Sequence, residues 1–419
     1  MRQNFYTSLT ITAAIFAAVS LCGADELLLA ARRGDAASQL ALGGEFFYGR
    51  NRNANPALAL YWFRRAADNG LPAAQYNFGL CLLKGWGCEK NPAAAFRYLQ
   101  QAAVNGVDKA AIYYAELLFD GVESGNFAGE MIPEVAPDRE KALDILRRSA
   151  GNGSTQAMLQ LARYLFTDAV KHGDELYQML KNYVEKSADP DPEALVIYAA
   201  CVRSGIGGNI PDPPLGVKIL RRAAVKQHPE AMAQLAEMLF NGFGTPADKV
   251  QALELYDKAI ALGSSRAMTD LGQLKLAGYH TAHDPAGAFD LFSAAAKKNY
   301  PPAIRKLGDC HALGIGTSRN PDMAMSLYLR AAEAGDAEAM FKLGTCYRDG
   351  ECTAADPAKA FYFFQLAARA GHTGGIRETG KALLDGRGIK SDFVQGMELL
   401  RRAAGLGDSQ AVLLLRTME

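Results

Sequence analysis

Apolar residues recur in this chain at helical spacing, and the helical stretches themselves recur. Between Leu71 and Gly106, Ala74, Phe78 and Leu82 stand at i, i+4 and i+8 and make one apolar stripe of an amphipathic helix. A second helix is predicted after Asn91-Pro92, carrying the large pair Tyr98-Leu99. The unit closes with Ala-Ala-x-x-Gly or a near variant. The last position of that marker falls at Gly34, Gly70, Gly106, Gly153, Pro190, Gln227, Gly263, Asn299, Gly335, Gly371 and Gly407. Every interval is 36 or 37 residues except the one ending at Gly153, which is 47. A period of this length is the signature of a stacked array. No unit shows the strict alternation of a strand, so the array is expected to be all helix.

Three features repeat in register. Nine residues after the marker stand Gly43, Gly79, Ala115, Ala162, Ala199, Ala236, Gly272, Gly308, Gly344 and Gly380, always Gly or Ala. Gly inside a helix costs about 1 kcal/mol relative to Ala, so a close approach by the facing helix is expected there. Six residues further on, the first helix stops at a glycine, often within Gly-x-Gly, as in Gly85-Trp86-Gly87 and Gly314-Ile315-Gly316. No strand precedes these glycines and no Gly-Lys-Ser/Thr follows, so they are not a phosphate loop. The second helix starts at Asn55-Pro56, Asn91-Pro92, Asp284-Pro285, Asn320-Pro321 and Asp356-Pro357, with Asp248 and Asp392 capping alone. It ends on cations such as Arg64-Arg65 and Arg401-Arg402, which complement the helix dipole.

This register resembles the Sel1-like repeat family, relatives of the tetratricopeptide repeats. The clearest examples run from Ala74 to Gly106, Ala303 to Gly335 and Ala339 to Gly371. The resemblance covers about residues 25–419, some ten units. It implies a right-handed superhelical α/α solenoid whose concave surface, lined by the first helices, binds proteins. Such proteins look like adaptors and scaffolds, many of them exported.

The middle departs from the pattern. Val122 to Pro137 replaces a short connection with a loop rich in Gly, Glu and Pro. The next unit has Asp168-Ala169-Val170-Lys171-His172-Gly173 where Gly-x-Gly is expected, and Pro211, Pro213 and Pro214 crowd the connection after it. Residues 122–214 are therefore read either as a specialised loop or hinge or as drifted units that still stack. Residues 408–419 read as a capping helix, with Arg416 in the Gly/Ala position.

Charge and composition narrow the function. Forty-five basic and 45 acidic residues give a formal net charge of zero, which removes the general drive toward nucleic acid or anionic membrane. Met1-Arg2, an apolar run from Leu9 to Leu21 and Cys22-Gly23-Ala24 read as a secretory signal over residues 1–24, with lipidation at Cys22 the lesser alternative. Stable membrane insertion after cleavage is not expected, and the mature chain would be periplasmic or secreted. Cys81, Cys201, Cys310 and Cys346 share one register and are too far apart to pair with each other. Cys81–Cys88 and Cys346–Cys352 are plausible bridges, although burial as small hydrophobes explains the register too. His280, His283 and Asp284 form the one histidine cluster, but Asp284 has a capping role and a metal site is not expected. Ser-x-x-Lys, Lys-Thr-Gly and Gly-x-Ser-x-Gly are all absent. No catalytic residue, cofactor or metal is assigned, and the chain is not read as an enzyme. A hydrolase or binding protein directed at cell-wall material or β-lactams, as resembled by Cys-rich members of the family, is the alternative.

The candidate partner-binding residues lie on the first helices, in a stripe made by positions 3, 7, 10 and 14 after the marker, which the spacing places on one face. They are Asn77, Lys84, Tyr113, Glu116, Gln160, Arg163, Gln234, Glu237, Asp270, Gln273, Lys306, Asp309, Lys342 and Asp349. A protein or peptide ligand is expected there. The signal reading predicts that the mature chain begins at Asp25. Intact mass of the exported protein checks it, and a retained apolar run or a lipid on Cys22 contradicts it.

Overall fold

The computed structural model describes residues 24–418. Residues 1–23 of the segment read as a secretory signal, Cys22 among them, lie outside the described residues. Helix α1 (Ala24–Arg32) opens the array and α22 (Ser409–Met418) closes it. Between them the helices come in consecutive twos. They are α2 (Ala36–Tyr48) with α3 (Pro56–Asp68), α4 (Pro72–Lys84) with α5 (Pro92–Val104), and α6 (Asp108–Asp120) with α7 (Arg139–Gly151). Next come α8 (Thr155–Thr167) and α9 (Ala169–Lys186), then α10 (Pro192–Ser204) with α11 (Pro213–Val225), and α12 (Pro229–Asn241) with α13 (Lys249–Ala261). The series ends with α14 (Ser265–Ala277) and α15 (Pro285–Lys297), α16 (Pro301–Leu313) and α17 (Pro321–Glu333), α18 (Ala337–Asp349) and α19 (Pro357–Arg369), and α20 (Thr373–Asp385) and α21 (Phe393–Gly405). This is the all-α repeat array expected. The chain divides after Met179 into two compact units. Among the described residues no helix is long and apolar enough to cross a membrane.

The predicted caps form. Asn55 accepts a hydrogen bond from the Leu58 N–H at 3.1 Å, Asn320 from Met323 at 3.0 Å and Asp284 from Gly287 at 2.8 Å. Each satisfies an N–H that the helix itself cannot, and the following Pro needs no partner. The marker position requires positive φ. Gln227 and Asn299 adopt it at 57° and 58°, but Pro190 cannot, because its ring fixes φ near −65°. The degenerate marker thus has a structural consequence, and the chain between α9 and α10 leaves the regular turn.

The Gly/Ala column faces the second helix of its own pair. A Cβ at Gly344 would lie 2.5 Å from the ring of Phe364, and one at Gly308 2.7 Å from that of Tyr328. Gly43 meets Phe63, Gly272 meets Phe292, and Gly79 meets Leu99 in the same way. The second glycine of Gly-x-Gly has a different neighbour. A Cβ at Gly87 would come within 2.3 Å of the Pro56 carbonyl oxygen, and one at Gly316 within 2.3 Å of the Pro285 oxygen. These glycines therefore seat each pair on the start of the preceding second helix. Burial then runs from pair to pair. In the unit after Met179, Met268, Ala296, Ile304, Leu327 and Ala339 form one continuous cluster. Cys81, Cys201, Cys310 and Cys346 are all buried as free thiols, which matches their reading as small hydrophobes.

Two segments differ from the sequence reading. Gly125–Phe127 pairs antiparallel with Glu130–Ile132 across a turn at Ala128 and Gly129, so the insertion carries a small β-hairpin. Three residues per strand are too few to show a period of two. The segment from Ala169 onward, read either as a specialised loop or hinge or as part of a drifted unit, is the 18-residue helix α9. Gly173 sits inside that helix without ending it. Arg147 of α7 fixes it through a bidentate pair with Glu175 at 2.7 and 2.8 Å.

The packing predicts that Gly344→Leu and Gly308→Leu each lose at least 1–3 kcal/mol, the usual range for overpacking. Gly405→Ala, in a helix with nothing within 4 Å of the new Cβ, should be neutral or stabilise by up to about 1 kcal/mol. Chemical denaturation of the three variants checks the contrast.

Candidate partner-binding face

The first helices carry the face, and each compact unit holds its own stretch of it. In the unit ending at Met179, Asn77 is buried, while Lys84 at the end of α4 is exposed. The Lys84 ammonium lies 5.5 Å from the centre of the Tyr113 ring on α6, linking adjacent repeats. Burial, aided by the neighbouring Glu116 carboxylate, raises the Tyr113 phenol above its ordinary pKa. On α8, Arg163 donates to Gln160 at 2.9 Å and points to solvent.

In the second unit the face is more highly charged and more buried. Arg266 of α14 sits among three carboxylates. Its guanidinium lies 3.2 Å from Glu230, 2.8 Å from Glu237 and 3.5 Å from Asp270. Gln234, buried on α12, donates to Glu230 at 3.0 Å. One cation shared by three anions leaves an excess of negative charge. Burial, opposed by Arg266 and reinforced by Glu237 and Glu230, pushes the Asp270 carboxyl up to about 6. Arg266 itself stays charged. Its pKa is raised despite burial, because Glu230, Asp270 and Glu237 surround it. Gln273, one turn on, is exposed.

The next repeats are bridged in the same direction. Asp309 accepts the Tyr328 hydroxyl at 2.8 Å and pairs with Lys342 of the following repeat at 3.3 Å. Desolvation lowers the Lys306 pKa, with Asp309 the largest opposing influence. Asp349 is exposed and held by two 2.7 Å bonds from Arg348, which also reaches Glu378 of α20 at 3.1 Å. The residues chosen from spacing therefore do share one register, but they are not a row of free side chains. Glu230, Arg266 and Glu378 were not singled out, although their positions belong to the same stripe. Glu230 and Arg266 both lie three positions after a marker, on the same face, so the spacing alone contained the signal.

The remaining candidates take structural roles. The Asp284 carboxylate caps α15 and pairs with Lys275 at 2.8 Å. The His283 ring nitrogen meets the Leu276 carbonyl at 2.8 Å. Cys352 hydrogen-bonds Cys346, whose thiol burial pushes up to about 12.

The Asp270 carboxyl gives a pH signature. Its folded pKa lies above the ordinary value, so the folded state holds a proton that the unfolded state has released between about pH 4 and 6. Stability should fall across that interval as pH rises, by an amount on the order of 2 kcal/mol, and level off above it. Asp270→Asn should flatten this segment of the stability–pH curve relative to the parent chain, as urea denaturation at several pH values would show.

The Sel1 repeat model matches residues 36–71, 72–107, 108–154, 229–264, 265–300, 301–336, 337–372 and 376–408. The unmatched stretch between 154 and 229 contains α9 and the Pro190 marker. Among solved structures, a protective antigen of uropathogenic Escherichia coli strains displaying an SLR fold is 26% identical, with a TM-score of 0.51, over 93% of this chain and 81% of that one. A Sel1 repeat protein from Oxalobacter formigenes is 24% identical, with a TM-score of 0.49, over 59% of this chain and 99% of that one. No curated sequence matches the chain. With repeat matches over well more than half of its length, and helix pairs in the matched register, the chain belongs to the Sel1 repeat family.

Proposed function

We propose that this protein is an exported interaction scaffold that binds a protein or extended peptide along the faces of its first helices. The repeat architecture supports a binding role, since stacked repeats offer long surfaces with side chains at regular spacing. The observation that carries the reading is the bridged polar face on α12, α14, α16 and α18. Glu237 reaches Arg266 of the next repeat, which also meets Asp270 of its own helix, and Asp309 meets Lys342 of the following repeat, so that two of the three links join neighbouring repeats. Side chains held in this way lose little further freedom when a partner arrives. Their signs alternate along the helices, so a complementary partner is recognised by its charge pattern rather than by bulk charge. The balanced composition supports a protein partner over nucleic acid. The N-terminal apolar run supports export.

Gln273 and Asp349 are exposed within this face and can be changed without opening the buried cluster. Gln273→Glu with Asp349→Arg should weaken a captured partner at least tenfold, about 1.4 kcal/mol, with thermal unfolding unchanged. Binding that survives this pair but is abolished by substitutions within residues 122–137 would assign the interaction to the insertion.

A further inference from the structure

Beneath the β-hairpin lies a second, different site. The hairpin folds back over α3, α4 and α5 of the first unit. Asn91 at the start of α5 donates to the Asn126 carbonyl at 2.8 Å, and Arg97 pairs with Glu130 at 2.8 Å. The Arg64 guanidinium lies 5.2 Å from the centre of the Phe127 ring, which also neighbours the Tyr98 ring at 6.3 Å. Together these border a half-open polar cavity of about 500 Å³, within the range that holds small ligands.

An internal control shows that this cavity is a departure from the repeat. Gln39 and Gln75 occupy equivalent positions 36 residues apart. Gln39 is fully buried and satisfied. Its amide donates to the Ala31 carbonyl at 3.0 Å and accepts from Asn69 at 3.0 Å. Gln75 is 5% exposed, yet its Oε1 has no partner. Asn105, the counterpart of Asn69, lines the cavity with it instead of closing on it. A buried acceptor left unpaired costs free energy, and the Gln75 side chain lines a half-open polar space into which a small turn of its amide would bring this acceptor. A donor from a ligand would satisfy it.

The lining defines the ligand. Arg64 and Arg97 are balanced by Asp68 and Glu130, so the cavity presents no net charge to an ion. The Tyr98 hydroxyl is already given to Asp68 at 2.9 Å. What remains is planar amides, one unpaired acceptor and two aromatic rings. Hydroxyl groups donate and accept at once, and the C–H faces of a sugar ring suit an aromatic wall. We propose that this cavity binds a short neutral oligosaccharide, with Gln75 accepting a hydroxyl or acetamido N–H at its floor and the hairpin as its roof. The site lies apart from the first-helix face and does not depend on it.

The test uses the full chain and a panel of N,N′-diacetylchitobiose, chitotriose, cellotriose, maltotriose and trialanine, measured by calorimetry. At least one saccharide should bind with a dissociation constant below about 1 mM. Gln75→Leu should weaken it tenfold or more while melting at the same temperature or higher, because the unpaired acceptor is gone. Gln39→Leu should melt lower and bind normally. Replacing residues 125–132 with a short Gly-Ser linker should also abolish binding, with the helical melt retained. Binding of none of the saccharides, equal binding by Gln75→Leu, or binding of trialanine alone would each overturn the proposal.

Discussion

The fold depends on how closely the two helices of each pair can approach. A residue without a side chain, or with only a methyl group, sits on the first helix where a ring or leucine of the second must lie. Phe292 is fully buried against Gly272, and Phe364 lies where a Cβ on Gly344 would be. Close contact gives the large side chain many partners at once, and dispersion in a densely packed interface is the sum of many small contacts. The intrinsic helix penalty of glycine is about 1 kcal/mol, and burial of an aromatic side chain offsets it by about 1.5–3 kcal/mol. Once each pair is compact, the second glycine of Gly-x-Gly brings it down onto the preceding proline carbonyl.

This division of labour explains why the surface is free to vary. The apolar positions, the caps and the glycines are all spent on packing within and between pairs. The outer turns of the first helices carry no such constraint. They hold Lys84 over Tyr113 in one unit and the Arg266 cluster in the other. The same register thus supports quite different chemistry in successive repeats, which suits a binding surface built from local variation. The hairpin shows a second way to vary the array. A single enlarged connection, leaving Gly121 and returning at Asp138, folds over α3, α4 and α5 and borders a space at Gln75 that the Gln39 repeat keeps closed.

Much of this was legible in the sequence because it is local and repeated. Asn-Pro and Asp-Pro mark helix starts through capping, and Gly308 or Gly344 stands out only when the repeats are aligned. The face of the first helices was legible as a register, but its electrostatics were not. Arg266 contacts Glu230 and Glu237 across a repeat boundary, and which carboxylate gains a proton depends on burial that spacing does not reveal. The hairpin was illegible because its two strands are three residues each. Helix α9 was left open between a loop and a drifted unit because its polar start, Asp168 to Gly173, has loop composition, whereas Leu176, Leu180 and Val184 behind it are buried and hold it in place. In both cases tertiary packing overrides the local signal.

The central claim is that the small-residue column and the ring opposite it act as one unit. A double-mutant cycle on Gly344 and Phe364, followed by chemical denaturation, measures this directly. Gly344→Ala should cost about 1–3 kcal/mol in the parent chain and less than about 0.5 kcal/mol in a Phe364→Ala background, where the ring no longer meets the new methyl group. The resulting coupling of roughly 1 kcal/mol or more is the size expected of residues in direct contact. An equal loss in both backgrounds would mean that the column is not held by the facing ring.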